Sequence, residues 1–344
     1  MEGLALLFYL AVNIPLSLFL LLLVWFSDRY EREPLWAVLL SACWGALPAV
    51  LLSCLLESAA GPALTALWGP REGAFLSAVL LAPPVEEAAK AAALVLVILL
   101  YAREFDDVLD GVVYGAAVGV GFSFVEDFFY FAGALHEGGA GLGAVVFTLR
   151  NFGFMLNHSL FTALTGIGFG LARVNSRNPL ALLFFPPMGF AAAVGLHTLH
   201  NFFSSLAAPG VVVALLIHWA GGLGLAALFP LLWAVERRWI LSRLKSEVEE
   251  GRIPRSALAS LPFSGSAPRV FRPSAASALR RDLVELAFGR RRREEGWGGD
   301  GEETLEALRR RIRHLSGEAE EPPTGPPHPR PESPPDPPDR GTGP

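Results

Sequence analysis

The sequence predicts an all-α fold: a polytopic bundle of about seven or eight transmembrane helices, followed by a largely disordered cytoplasmic C-terminal tail. Two observations predict it. The chain has 344 residues and is 52% hydrophobic, with a mean hydropathy of +0.41, and soluble globular chains are seldom so apolar. The net charge is -5, but the charges are unevenly spread. The last third of the chain holds most of the Arg, Glu and Asp.

Seven apolar stretches are long enough to cross a bilayer as helices, which takes about 20 residues. They lie at about 4–26, 35–56, 74–101, 111–134, 150–172, 180–206 and 210–235. The first is too long for a cleavable signal and is predicted to be retained. The third contains Pro83 and Pro84, and proline lacks an N–H and restrains the residue before it, so a kink or a helix restart near Val85 is predicted.

The orientation follows from the positive charges. Arginines follow the first, third, fifth and seventh predicted spans, and the loops between the other spans contain few. Positive charge favours the cytoplasmic side of a membrane. We therefore expect a multi-pass protein of the cell membrane with its N-terminus outside and its tail in the cytoplasm.

The chain divides into three parts by composition. A transmembrane domain at 1–238 is followed by a charged tail at 239–320 and a Pro-rich end at 321–344. Leu305, Leu308, Ile312 and Leu315 share one helical face, which predicts a short amphipathic helix in the tail. The Pro-rich end has too few apolar residues to fold.

Ionisable residues inside membrane spans are costly, so each is a functional candidate by default. Four successive spans carry such groups: Glu86, Glu87 and Lys90; Glu126; His158; and His197. Phe122, Thr162 and Asn201 lie four residues from Glu126, His158 and His197 and so share their helix faces. Counted from the span ends, Glu86, Glu126, His158 and His197 all lie roughly 21–26 Å above the cytoplasmic edge. The helices are therefore predicted to bring these groups together in the outer half of the membrane.

Carboxylates and imidazoles in a water-poor bundle suit the activation of a water molecule. One glutamate takes a proton from water, while the others hold a metal or stabilise the developing oxyanion. Two histidines and one glutamate are a known zinc set. The H-E-x-x-H and G-x-S-x-G motifs are absent from the sequence.

Four segments in successive spans carry a family resemblance: "PPVEEAAK", "FSFVE", "HSLFT" and "HTLHN". In this order they resemble the signature of the PrsW family of intramembrane proteases. That family is distantly related to the CAAX prenyl proteases and the bacteriocin-processing membrane proteases. Those relatives have histidine where Glu126 stands, and glutamate is the PrsW form. The resemblance covers roughly residues 5–235.

The resemblance implies roles for the site residues. Glu86 and Glu87 would be catalytic carboxylates, Glu126, His158 and His197 metal ligands or water activators, and Asn201 an oxyanion or orienting group. Lys90, Phe122 and Thr162 would support them. Zinc or another divalent metal is the cofactor implied, although relatives are also argued to use glutamate without metal.

The same resemblance implies the partners. The substrate would be a membrane-anchored protein resembling an anti-sigma factor, cleaved on the extracytoplasmic side of the bilayer. Nucleic acid is not an expected partner.

Other interpretations remain open at this point. Glu86 and Lys90 are also compatible with a structural ion pair, and Glu126 with a pair to Arg150. As a whole, the cluster also fits a secondary transporter or an ion-coupled channel, in which broken helices carry Glu and His at mid-membrane. Transporters usually have repeated halves, and no repeat is evident in this sequence. A non-catalytic membrane scaffold is a third interpretation.

Overall fold

A computed structural model describes residues 2–102, 104–258, 261, 275–296 and 301–317. All regular structure within these ranges is helical, which confirms the predicted all-α class. The helices are α1 (Glu2–Ser27), α2 (Leu35–Trp44), α3 (Val50–Trp68), α4 (Pro70–Leu76), α5 (Ala82–Leu100), α6 (Val108–Thr148), α7 (Asn157–Val174), α8 (Pro179–Ser204), α9 (Ala207–Glu249), α10 (Arg255–Leu258), α11 (Ala275–Glu295) and α12 (Glu302–Leu315).

Five helical segments of the described chain are long and apolar enough to cross a membrane. They are Glu2–Ser27, Leu35–Trp68, Val108–Val174, Pro179–Ser204 and Ala207–Glu249, and the third of these contains both α6 and α7. The chain is thus a multi-pass membrane protein, with five such segments where the sequence predicted about seven or eight spans. α5 falls outside this set, and it holds the charged residues Glu86, Glu87 and Lys90.

Two helix starts position the polar residues. α4 continues through a π-helical segment, Ser77–Leu81, into α5. Leu81 keeps helical angles, with φ -87° and ψ -50°. The kink or restart predicted near Val85 therefore takes the form of a π-helical distortion, which ends where α5 begins at Ala82. Proline is tolerated in a first helical turn, where its missing N–H would have no helical partner.

The second start differs from its prediction. The sequence predicted one span at 150–172, but a π-helical segment, Leu149–Gly153, follows α6, and α7 begins only at Asn157. Phe154 leaves the helical region, with φ -118° and ψ 21°. The N-cap residue is Leu156, and in the first turn the Asn157 side chain accepts the backbone N–H of His158 at 2.8 Å. His158 therefore lies in a first helical turn.

A capping box fixes the start of α6. Asp107 Oδ1 accepts the backbone N–H groups of Leu109 and Asp110 at 2.6 and 3.2 Å. In return, Asp110 Oδ2 accepts the N–H of Asp107 at 2.7 Å, the reciprocal pattern of such boxes. The preceding Asp106 is buried, and burial, followed by the charge of Asp107, raises the pKa of Asp106 to about 6.

Glycines let α6 and α7 approach backbone to backbone. Gly111, Gly115 and Gly119 recur every fourth residue and so share one face of α6. A Cβ at Gly119 would lie 2.4 Å from the carbonyl of His158, and one at Gly111 would lie 2.1 Å from the carbonyl oxygen of Gly166. Small residues at this spacing are typical of close helix pairs in membranes. They set His158 directly against α6.

We expect Gly119→Ala to lower the melting temperature of the detergent-solubilised protein, because the added methyl group has no room against the His158 backbone. Overpacking of this kind costs about 1–3 kcal/mol. Gly133→Ala on the same helix is the matched control, since no atom lies within 4 Å of its added Cβ. Equal melting temperatures for the two variants would contradict the close approach of α6 and α7.

The described part of the tail is helical and packs onto the end of α9. Ile240 and Leu244 of α9 share a buried cluster with residues of α11 and α12. In α12, Leu305, Leu308 and Ile312 are buried, as the amphipathic pattern predicted. α9 continues through residue 238, where the sequence predicted a boundary, because its apolar residues extend into this cluster. The predicted disordered end, 321–344, lies outside the described residues.

Candidate active site

Three charged side chains of α5 form the centre of the candidate site. The Lys90 ammonium lies 3.0 Å from Glu86 Oε2 and 3.0 Å from Glu87 Oε1. It also lies 3.6 Å from the ring centroid of Phe122 on α6. Lys90 and Glu87 are fully buried, and the Glu86 side chain retains 7% exposure. One ammonium group therefore balances one of two carboxylates in a buried space.

Two histidines from other helices contact this group. In each of them, the ring nitrogen that faces away from Glu86 contacts a carboxylate. His197 Nδ1 of α8 lies 3.0 Å from Glu87 Oε1. His158 Nε2 of α7 lies 2.8 Å from Glu126 Oε2 of α6. An imidazole N–H that donates to a carboxylate leaves the opposite ring nitrogen with a free lone pair. In both rings these carboxylates thus favour the tautomer with its lone pair facing inward.

The inward nitrogens face Glu86. Its Oε2 lies 3.9 Å from His197 Nε2 and 4.0 Å from His158 Nδ1. Lys90 Nζ donates to the inward lone pair of His158 Nδ1 at 2.8 Å, so a metal bound at this nitrogen would take the place of that hydrogen bond. One ligand atom each from Glu86, His158 and His197 lies within 4.8 Å of the other two, and all three residues are buried.

The two adjacent glutamates differ in how many of their carboxylate oxygens already have a hydrogen-bond partner. Glu87 binds Lys90 and His197 through Oε1, and its Oε2 accepts a hydrogen bond from Thr162 Oγ1 at 3.1 Å. Glu86 contacts Lys90 through Oε2 at 3.0 Å. Its Oε1 accepts no hydrogen bond from the described residues. Glu87 is therefore fixed in place, whereas Glu86 keeps an oxygen that is available to a water molecule.

Glu126 has two partners. It accepts a hydrogen bond from Arg150, the pair that the sequence left open as an alternative, and it also contacts His158. Arg150 forms a second ion pair with Asp127. Glu126 thus connects His158 to a partly buried arginine, and the Glu126 side chain is 19% exposed.

Asn201 is not part of this group. Its side-chain amide donates to the backbone carbonyl of Ala78 at 2.8 Å, in the π-helical segment before α5. His200 is turned towards the edge of Phe154, at a centroid distance of 4.6 Å. The structure thus leaves Asn201 against the π-helical segment before α5. It brings together the other sequence candidates: Glu86, Glu87, Lys90, Phe122, Glu126, His158, Thr162 and His197.

Sequence reasoning missed Glu57. The predicted second span ended at residue 56, but α3 continues to Trp68 and holds Glu57 within it. Its Oε1 is buried without a hydrogen-bond partner, and the charges of Glu86 and Glu126 act on its carboxyl. The sequence did contain a signal for Glu57, a single acid within the apolar stretch "LLESAAG". It also contained the four-residue glycine spacing of α6, which sequence reasoning did not use.

The donor set of the site fits a divalent metal. One carboxylate oxygen and two imidazole nitrogens are the usual protein ligands of catalytic zinc. Zinc-binding histidines commonly donate their other ring N–H to a carboxylate, as His197 can to Glu87 and His158 to Glu126.

Comparisons with known proteins agree with this geometry. A family model described as PrsW family intramembrane metalloprotease matches residues 33–235, which is more than half of the chain. Comparison with curated proteins and with solved structures gives no match.

Proposed function

Because the chain belongs to the PrsW family of intramembrane metalloproteases and is therefore a peptidase, we propose that it hydrolyses a membrane-anchored protein with a water molecule that Glu86 activates. One observation carries the proposal. The inward nitrogens of His158 and His197 converge on Glu86, while Glu126 and Glu87 hold the outer nitrogens.

Glu86 is the proton acceptor in this proposal. Water gives a proton to Glu86 Oε1 as its oxygen bonds to the substrate carbonyl carbon. The carbon–nitrogen bond then breaks, and the proton passes to the leaving amine. Glu87 keeps Lys90 and His197 in position, because all its contacts are already made.

Glu86, His158 and His197 are the residues that would hold the divalent metal. The sequence favoured Glu126 in place of Glu86. The contact of Glu126 with His158 and its pair with Arg150 support an orienting role for Glu126 instead. A bound metal supplies Lewis acidity and lowers the pKa of its water.

Asn201 takes a positioning role in this proposal, in place of the oxyanion role implied by the family. Its hydrogen bond to Ala78 ties α8 to the segment that leads into α5. Lys90 remains a fixed cation beside the developing negative charge.

The proposed substrate is a single-span membrane protein resembling an anti-sigma factor. If α5 also crosses the bilayer, the N-terminus lies outside and the tail in the cytoplasm, and the depth estimated from the sequence then corresponds to the outer half of the bilayer. Cleavage on the extracytoplasmic side follows from that orientation.

Metal removal tests the proposed function. We expect the purified protein in liposomes to cleave some members of a panel of single-span peptides, detected by mass spectrometry of the products. A chelator should abolish cleavage, and added Zn²⁺ should restore it. A transporter would instead give ion flux across the same vesicles with no cleavage of any peptide, and that result would refute the proposal.

A further inference from the structure

A second set of buried carboxylates lies at the other end of the membrane helices, where α1 ends and α6 begins. It is called the acid cluster here. Its members come from the α1–α2 connection, the α5–α6 connection, the first turn of α6, and α9: Asp28, Glu33, Asp106, Asp107, Asp110 and Glu236. All six are at most 9% exposed. It contains none of the active-site residues.

Three of these side chains converge on one point. One oxygen each of Asp28, Glu33 and Asp110 lies within 4.8 Å of the other two. Ionised carboxylates this close repel one another strongly in a buried space unless a cation or a shared proton lies between them.

The available protein donors do not supply that positive charge. Asp28 accepts the backbone N–H of Tyr30 at 3.3 Å, and Glu33 accepts the hydroxyl of Tyr114. Asp110 accepts the backbone N–H of Asp106 at 2.7 Å. These donors are neutral. Within the described residues, no ion pair reaches Asp28, Glu33 or Asp110. Arg32 donates to the backbone carbonyl of Asp28 at 3.3 Å, and Arg292 binds Asp106 and Glu31 at 3.4 and 3.2 Å.

Unpartnered oxygens give a second, independent sign of a missing ligand. Asp106 Oδ1 and Glu236 Oε2 are buried and have no hydrogen-bond partner among the described residues, and each residue is only 3% exposed. Asp106 is joined to Asp110 through its backbone N–H. The Glu236 carboxyl lies within electrostatic range of those of Asp107, Asp28 and Asp110. A buried carboxylate oxygen left without a partner is costly.

We propose that the acid cluster binds one hard divalent cation, of the Mg²⁺ or Ca²⁺ class, through Asp28, Glu33 and Asp110. The cluster offers only carboxylate oxygens, the ligands that these two ions prefer, with no imidazole or thiolate to favour zinc. The ion would tie the α1–α2 connection to the start of α6, next to the unpartnered oxygens of Asp106 and Glu236.

The experiment uses the full chain in detergent with His158→Ala and His197→Ala, so that the active site contributes no ion. After chelation and dialysis, Ca²⁺ or Mg²⁺ is added, and bound metal and melting temperature are measured. We expect one equivalent of one of these ions per chain and a rise of several degrees in melting temperature, since binding to the folded state stabilises it.

The same background with Asp28→Asn, Glu33→Gln and Asp110→Asn should bind no ion and show no rise. These amides keep the side-chain shapes and remove repulsion, so the variant is expected to fold, which size-exclusion chromatography checks. Glu249→Gln, at an exposed acid of α9, is the matched control and should behave like the background. An absence of bound ion in the background protein, or an ion retained by the triple variant, would overturn the proposal.

Discussion

Replacing Glu86 with glutamine is expected to lower the rate of peptide cleavage by about 10²–10⁴-fold, the usual contribution of a general base. The amide cannot take a proton from water, and it is a poor ligand for the metal that Glu86, His158 and His197 would hold. Its oxygen can still accept the hydrogen bond from Lys90 at the position of Glu86 Oε2. The measurement is the initial cleavage rate of a single-span peptide in liposomes.

The control for this variant is Glu72→Gln, at an exposed glutamate of α4. It changes the same functional group away from the site and should keep the wild-type rate. Melting temperatures of the two variants should agree within a few degrees. Wild-type cleavage by a folded Glu86→Gln protein would remove Glu86 from the catalytic role.

Lys90→Met is expected to have the largest effect on stability. Lys90 is fully buried between Glu86 and Glu87, and its removal leaves two adjacent carboxylates without their common cation. Removing one partner of a buried ion pair costs about 3–5 kcal/mol. We expect a large drop in melting temperature and loss of cleavage.

A compensating variant separates charge from packing in this result. Lys90→Met combined with Glu86→Gln and Glu87→Gln has no uncompensated charge at the three positions. It should recover most of the lost melting temperature while remaining inactive. If the triple variant were as unstable as Lys90→Met alone, the lysine would act through its packing against Phe122 instead of through its charge.

The sequence predicted much of this architecture, because the cost of ionisable groups in a membrane is a strong signal. Glu86, Glu126, His158 and His197 stood out in apolar spans, and the structure brings all four into one group. The distortion ahead of Pro83 and Pro84 was also predictable as a kink or a restart, since proline removes a helical hydrogen bond.

Other features depend on contacts between distant segments, and the sequence could not assign them. The pair between Glu126 and Arg150 competes with metal binding by Glu126, and only the fold decides which of these contacts Glu126 makes. Spacing alone put Asn201 on the face of His197, but its amide contacts Ala78 instead. The break before Asn157 lies in an apolar stretch without proline, so hydropathy predicted a continuous span there.

The central claim is that Glu86, His158 and His197 face one point and hold the metal there. X-ray absorption spectroscopy of the Zn²⁺-loaded full chain tests it most directly, with Asp28→Asn, Glu33→Gln and Asp110→Asn present to remove the acid cluster. We predict one ion bound by two imidazole nitrogens and a carboxylate oxygen, and loss of the ion in the variant that also carries His158→Ala and His197→Ala. An ion without imidazole ligands, or one retained after both histidines are replaced, would contradict the account.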